Sequence, residues 1–263
     1  LTVFEAAILQ PHGMILVTGP TGSGKTSTLY AALGRVNNSE NKIITVEDPV
    51  EYQIDGINQI QVKPQIHLTF ASALRSIVRQ DPDIIMVGEI RDHETAEISI
   101  QSALTGHLVF STLHTNDSFG APHRLMEMGV ESYLIASSVV LIIAQRLVRI
   151  ICPHCKESIK PNEADLLFLS EEGVDPSEVK HLYHGVGCHH CGQSGYIGRT
   201  GIYELLPVTP AIKEAIIKKL SAEGVRRCAA QEGVQTMRAD GIRKVLAGVT
   251  TLEELARVTR QDL

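Results

Sequence analysis

The chain has 263 residues, of which 43% are hydrophobic and 21% charged, with a formal net charge of −6. Such a composition suits a globular protein with a sizeable core, and the negative balance excludes any global attraction to phosphate backbones. Aromatics at 4% with no Trp also argue against the interleaved basic and aromatic stripes of a single-strand nucleic-acid binder.

No signal peptide is legible, and the opening at Leu1 reads as the middle of a longer protein whose upstream domain is absent. Residues 14–18 form a short apolar run ending at a glycine, the pattern of a buried strand. Residues 25–36 read as a helix. Between them, Gly19-Pro20-Thr21-Gly22-Ser23-Gly24-Lys25-Thr26 matches the phosphate-loop pattern G-x-x-x-x-G-K-[ST] throughout. The glycines let successive amides turn toward one anion, and the helix start at Lys25, Thr26 and Ser27 adds its positive end. Lys25 would reach the outer phosphates of ATP or ADP, and the Thr26 hydroxyl would ligate Mg2+.

Three more runs, 43–47, 83–89 and 108–112, read as central strands, with helices at 69–80 and 92–105 between them. This alternation predicts an α/β fold with a mostly parallel sheet covered on both faces. Residues 51–62 break the pattern and read as a solvated excursion. Two of the strands end in acids. One run closes on Gly88-Glu89, and the other runs Glu47-Asp48-Pro49-Val50-Glu51. A hydrolase needs one carboxylate near magnesium and one to orient or deprotonate the attacking water, and strand C-termini converge on the ligand crevice. The competing reading is a set of solvated strand caps. His107 and His114 flank 108–112; they are either structural or part of a polar run, Ser111 to Asn116, that senses the γ-phosphate.

The most apolar stretch is 134–143, inside a run read as helical to about Ile151. Gln145, Arg146 and Arg149 interrupt it before the roughly twenty apolar residues of a membrane span, so a buried helix is expected. Beyond it come two pairs, Cys152-x-x-Cys155 and Cys188-x-x-Cys191. Each offers two thiolates from one tight turn, and together they would close a tetrahedral Zn2+ site. Redox-active pairs and disulfides are the alternatives. His154, His189 and His190 are reserve ligands, and Cys228 reads as a core residue. A polar helix is expected near 162–169, and helices return after Pro207. Thr251-x-x-Glu254 is a capping-box signature for a last helix over 252–258.

Taken together, these residues resemble a known family. The phosphate loop, the acidic 45–51 run, residues 79–83 leading into Gly88-Glu89-Ile90-Arg91-Asp92, and Thr105-Gly106-His107 through His114-Thr115-Asn116 occur in that order. They resemble the phosphate loop, Asp box, Walker B and His box of bacterial secretion ATPases, the motors of type II secretion and type IV pilus assembly. Residues 144–149 and 195–204 extend the likeness over nearly the whole chain. The tetracysteine element resembles secretion and pilus-extension members, and 198–206 leans toward the type II secretion enzyme.

The resemblance implies a RecA-like P-loop NTPase domain (1–150), a small zinc-binding insertion (151–198) and a helical C-terminal subdomain (199–263). It implies ATP hydrolysis by a homo-hexamer at the cytoplasmic face of a bacterial inner membrane, powering type II secretion with platform proteins as partners and no nucleic acid. Type IV pilus extension is the nearest alternative. A RecA-like nucleic-acid motor and a non-hydrolysing ATP-binding scaffold are alternatives of other classes. Glu47 would be the catalytic carboxylate and Glu89 would hold magnesium through water, although these roles could be exchanged. His107 and His114 would join them, and arginines completing the site would lie in an upstream domain.

Overall fold

The computed structural model describes residues 2–259, so positions 1 and 260–263 of the expected domains lie outside the described residues. Helix α1 (Thr2–Ile8) leads to strand β1 (Gly13–Thr18), α2 (Lys25–Val36), β2 (Ile43–Glu47), β3 (Asn58–Gln61), α3 (Phe70–Ile77) and β4 (Ile84–Val87). Next come α4 (His93–Leu104), β5 (Leu108–Leu113), α5 (Ala121–Glu127), α6 (Ser132–Ser138) and β6 (Val139–Ile151). The remainder comprises β7 (Lys156–Ile159), α7 (Glu163–Glu171), β8 (Leu182–Gly185), β9 (Tyr196–Pro207), α8 (Pro210–Ile217), α9 (Ala222–Gln231), α10 (Met237–Leu246) and α11 (Leu252–Thr259). The chain packs as two compact units: residues up to Ala144 with Leu205–Val234, and Gln145–Glu204 with the chain from Gln235 onward. The helices after Pro207 therefore divide between the two units, α8 and α9 in the first and α10 and α11 in the second.

The first unit is built on parallel strands in the order β3-β2-β4-β5-β1-β6, the last of them entering it through Val139–Ala144. Strands β1, β2, β4 and β5 are buried at every position. They show no polar alternation because a parallel sheet is covered on both faces. Leu16, Val46, Val87 and Val109 point into one core with Leu74 and Ile77 of α3, Ile100 of α4 and Ile135 of α6. Ile212 and Ile216 of α8 and Val225 of α9 join the same cluster, which ties these helices to the sheet. Burial of each such side chain contributes about 1.5–3 kcal/mol.

Two expectations are corrected. The run read as a helix to Ile151 stops being helical at Ser138, and Val139–Ile151 is a strand paired with β1 from Met14↔Val139 to Thr18↔Ala144. A strand covered on both faces is apolar throughout, so its periodicity resembles that of a buried helix. The β-branched residues Val139, Val140, Ile142, Ile143, Val148, Ile150 and Ile151 are the local signal for a strand. Among the described residues, no helix is long and apolar enough to cross a membrane. The excursion at 51–62 contains β3, which pairs in parallel with β2 from Ile44↔Asn58 to Glu47↔Gln61 and is partly exposed along its length.

In the second unit, β7 and β8 form an antiparallel pair beside the cysteine loops. Thr251 caps α11, accepting from the Glu254 amide at 3.1 Å. The reciprocal half of the expected capping box gives way to a different use of the carboxylate. Glu254 is fully buried and accepts from the Arg149 amide at 3.0 Å and from both the Arg149 and Arg257 guanidinium groups at 2.7–3.0 Å.

Candidate nucleotide site and cysteine centre

Because β1, β2, β4 and β5 are parallel, their C-terminal ends open on one edge of the sheet. The phosphate loop leaves that edge after Thr18 and enters α2 at Lys25. Gly24 takes a left-handed conformation with φ 86°, which a side chain would strain, and this lets the loop turn directly into the helix. Pro20, Thr21 and Gly22 are exposed at the loop tip, Ser23 is buried and donates its amide to the Pro20 carbonyl at 3.2 Å, and Thr26 and Ser27 are exposed on the first helical turn. The Lys25 ammonium folds back across the loop, donating to the carbonyls of Gly19 at 2.8 Å and Pro20 at 3.1 Å. Burial lowers the Lys25 pKa, and the nearby Glu89 carboxylate partly restores it. Lys25 and Glu89 therefore share one electrostatic neighbourhood.

The strand register places the acids at the same level. Val46 aligns with Val87, Val87 with Ser111, and Ser111 with Leu16, so Glu47 and Gly88 follow at the row of Thr112 and Val17. Glu89 is 9% exposed; its two oxygens meet Arg91 at 2.5 Å and His114 Nε2 at 3.3 Å. Glu47 is 2% exposed and accepts from three donors: the Tyr30 hydroxyl of α2, Thr45 Oγ1 at 2.6 Å and Gln59 Nε2 at 3.1 Å. Thr18, the last residue before the loop, is joined to the segment after β5 that carries His114: its Oγ1 accepts from the Thr115 amide and lies 2.7 Å from Thr115 Oγ1.

His107 is not part of this cluster. It precedes β5, its carbonyl accepts from the Gly13 amide, and its ring Nδ1 lies 2.9 Å from the Ser102 carbonyl. It therefore sits at the N-terminal edge of the sheet, roughly 23 Å along the strand from His114 at ~3.3 Å per residue. A parallel strand presents only its C-terminal end to the phosphate loop, so the expected grouping of His107 with His114 fails within this chain. The residues that sequence reasoning missed are Tyr30, Thr45, Gln59 and Arg91. Arg91 and Thr45 had local cues, the first beside Glu89 and the second two positions before Glu47 on the same strand face; Tyr30 and Gln59 meet the site through folding.

In the second unit, the sulfurs of Cys152, Cys155, Cys188 and Cys191 all lie within 4.8 Å of one another. The separations are 3.9 Å for Cys152–Cys188, 3.8 Å for Cys155–Cys191 and 3.7 Å for Cys188–Cys191. Four thiolates around zinc at ~2.3 Å would stand ~3.8 Å apart, whereas a disulfide requires ~2.05 Å. All five cysteines are free, so the cluster fits a tetrahedral metal and does not form the disulfide alternative. Burial raises the Cys191 thiol, but the amides of Cys188 and Gly195 donating to its sulfur outweigh this and bring its pKa down to about 6. Burial pushes Cys155 up to about 12. His154 and His190 stack on each other at 4.1 Å and are not in the ligand set. Cys228 is half-buried on α9 against the core of the first unit, as expected for a packing residue.

Residues 1–257 match the family described as Type II/IV secretion system protein. Over 260 residues the chain is 52% identical to a type II secretion system protein E of Pseudomonas aeruginosa, covering 99% of this chain and 51% of that protein. It is 51% identical to the type IV pilus assembly ATPase PilB of Myxococcus xanthus, covering 100% of this chain and 46% of that one. The chain thus spans about half the length of the curated relatives it matches. Among solved structures, the pilus retraction motor PilT with bound ADP superposes with a TM-score of 0.73 at 29% identity, over 100% of this chain and 66% of that one. The ATPase DotB of Legionella pneumophila superposes at 0.70 and 23% identity, over 99% of this chain and 63% of that one, a likeness of fold.

Proposed function

We propose that this chain, which belongs to the Type II/IV secretion system protein family, binds ATP in the Gly19–Thr26 loop and hydrolyses it to drive a secretion machine. The observation that carries the reading is the convergence of the loop, Glu47, Glu89 and His114 on one edge of a parallel sheet. The backbone N–H groups of residues 19–27, other than Pro20, which has none, and the Lys25 ammonium hold the phosphates. The Thr26 hydroxyl and Glu89 would hold Mg2+, which would supply positive charge against the phosphate oxygens. Glu47 orients a water and accepts its proton as the water oxygen bonds to the γ-phosphorus. The bond from that phosphorus to the bridging oxygen breaks, and ADP and phosphate leave. His114, hydrogen-bonded to Glu89, reads whether the outer phosphate is present.

The four cysteines hold Zn2+ as a structural staple, which supplies folding energy to a small unit and no chemistry of hydrolysis. The 52% identity to a type II secretion protein supports work in type II secretion; the 51% identity to a pilus assembly ATPase supports the pilus reading alongside it. We infer a homo-hexameric assembly acting with platform proteins at the cytoplasmic face of an inner membrane. Phosphate release by the full-length protein tests the enzyme reading. Lys25→Ala and Glu89→Gln are each expected to lower kcat roughly 100-fold, and a wild-type protein that binds ATP without turnover would leave the scaffold reading instead. Complementation of secretion-deficient and pilus-deficient strains separates the two machines, and tight single-stranded DNA binding at physiological salt would favour a nucleic-acid motor.

A further inference from the structure

The phosphate loop and Glu47 belong to strands that are not neighbours. Strands β4 and β5 lie between β1 and β2, which puts the two about 14 Å apart across the sheet at ~4.8 Å per strand. A base that serves an attacking water must be held to a fraction of an ångström relative to the phosphates. The sheet alone provides no direct contact between these two strands. Helix α2 supplies one. It starts at the loop, and Tyr30, five positions after Lys25, is 3% exposed and donates its hydroxyl to the Glu47 carboxylate.

The surroundings of that hydroxyl are built. Its oxygen accepts from the Glu51 amide at 3.2 Å, and Gln59 Nε2 lies 3.4 Å away. The Tyr52 ring meets the Tyr30 ring edge-on at 4.7 Å. Gln59 is fixed in turn, its Nε2 donating to the Tyr52 carbonyl at 3.1 Å and its Oε1 accepting from the Ile54 amide at 2.7 Å. Burial, reinforced by the bond to Glu47, raises the Tyr30 phenol to about 12, so the hydroxyl remains a donor at any working pH. A carboxylate has about four lone-pair positions. Tyr30, Thr45 and Gln59 take three and leave one for a water.

We propose that Tyr30 is the positioning residue that ties the Glu47 carboxylate to the phosphate-loop helix, with Gln59 as its second support. Tyr30 does not touch the substrate; it bonds Oε2 of Glu47, the oxygen that keeps a lone pair open because Thr45 and Gln59 both occupy Oε1, and so sets where that lone pair points. This inference rests on the reading of Glu47 as the group that orients or deprotonates water.

Steady-state phosphate release and ATPγS affinity are measured in the full-length protein for wild type, Tyr30→Phe, Glu47→Gln and the double variant. Tyr30→Phe keeps the ring against Tyr52 and is expected to lower kcat about tenfold, with KM for ATP and ATPγS affinity within twofold of wild type. Glu47→Gln lowers kcat further, and Tyr30→Phe has no added effect in that background, because a residue acting only through Glu47 has nothing left to position. Gln59→Leu removes the other long-range donor, is expected to show the same split between kcat and KM, and carries the test should Tyr30→Phe fold poorly. Wild-type kcat in both Tyr30→Phe and Gln59→Leu, beside an impaired Glu47→Gln, overturns the positioning role alone. An undiminished effect of Tyr30→Phe in the Glu47→Gln background overturns it as well. Wild-type turnover in Glu47→Gln sinks the assignment of Glu47, and the Tyr30 role falls with it.

Discussion

His107 and His114 bracket a single strand, and their sequence surroundings look equally polar. Geometry separates them. His114 reaches Glu89 at 3.3 Å, whereas His107 is bonded to the Ser102 carbonyl at the far edge of the sheet. A strand carries its two ends to opposite edges, and only the C-terminal edge of a parallel sheet meets the phosphate loop. His114→Ala is therefore expected to lower kcat about tenfold, the scale of one lost polar contact to a charged group. His107→Ala should stay within twofold of wild type in the same phosphate-release assay. Equal losses in both variants would refute this separation.

Among the elements, the two cysteine loops depend on how closely backbones approach. Gly195 has φ 75°, and a Cβ placed on it would stand 2.4 Å from the Gly185 carbonyl oxygen. Its amide also donates to the Cys191 sulfur and its carbonyl accepts from the Cys152 amide. This glycine thus links β8, the first cysteine turn and the second. A methyl group there forces β8 away and pulls the amide off Cys191. Gly195→Ala should destabilise the second unit by about 2 kcal/mol or more and reduce zinc retention, read by thermal unfolding and metal content after dialysis. A wild-type melting temperature with full zinc would remove this account.

For the molecule as a whole, acid is a sharp probe, because one unit hides a charge. Glu254 is fully buried; burial alone would raise its pKa, yet the Arg257 and Arg149 guanidinium groups bring it down to about 2 from 4.5. A carboxyl depressed in the folded state contributes stability that is complete above pH 4.5 and disappears as pH falls toward 2. The shift corresponds to roughly 3 kcal/mol at ~1.36 kcal/mol per pH unit. Glu254→Gln should therefore lower the melting temperature of the second unit at pH 7, and the gap to wild type should close between pH 4.5 and 2. A gap that is flat across that range would show that the arginines do not set the carboxyl's charge.

Much of this protein was legible in the sequence because the signals are local. A phosphate loop needs its glycines, lysine and threonine in succession, a helix declares itself over a few turns, and each cysteine pair supplies two ligands from one turn. The loop, α2, the buried strands and the four-sulfur cluster follow from such short-range rules. What the tertiary structure alone decided involves residues far apart in the chain. β6 is a strand because β1 offers its edge, which an apolar run cannot reveal by period. β3 is part of the sheet because β2 does the same. His107 and His114 part company only once the strand has a direction in a sheet. Tyr30 reaches Glu47 because α2 lies across strands that separate loop from acid. Hydrogen bonds and register couple distant segments through space, and no pattern within either segment encodes the partner.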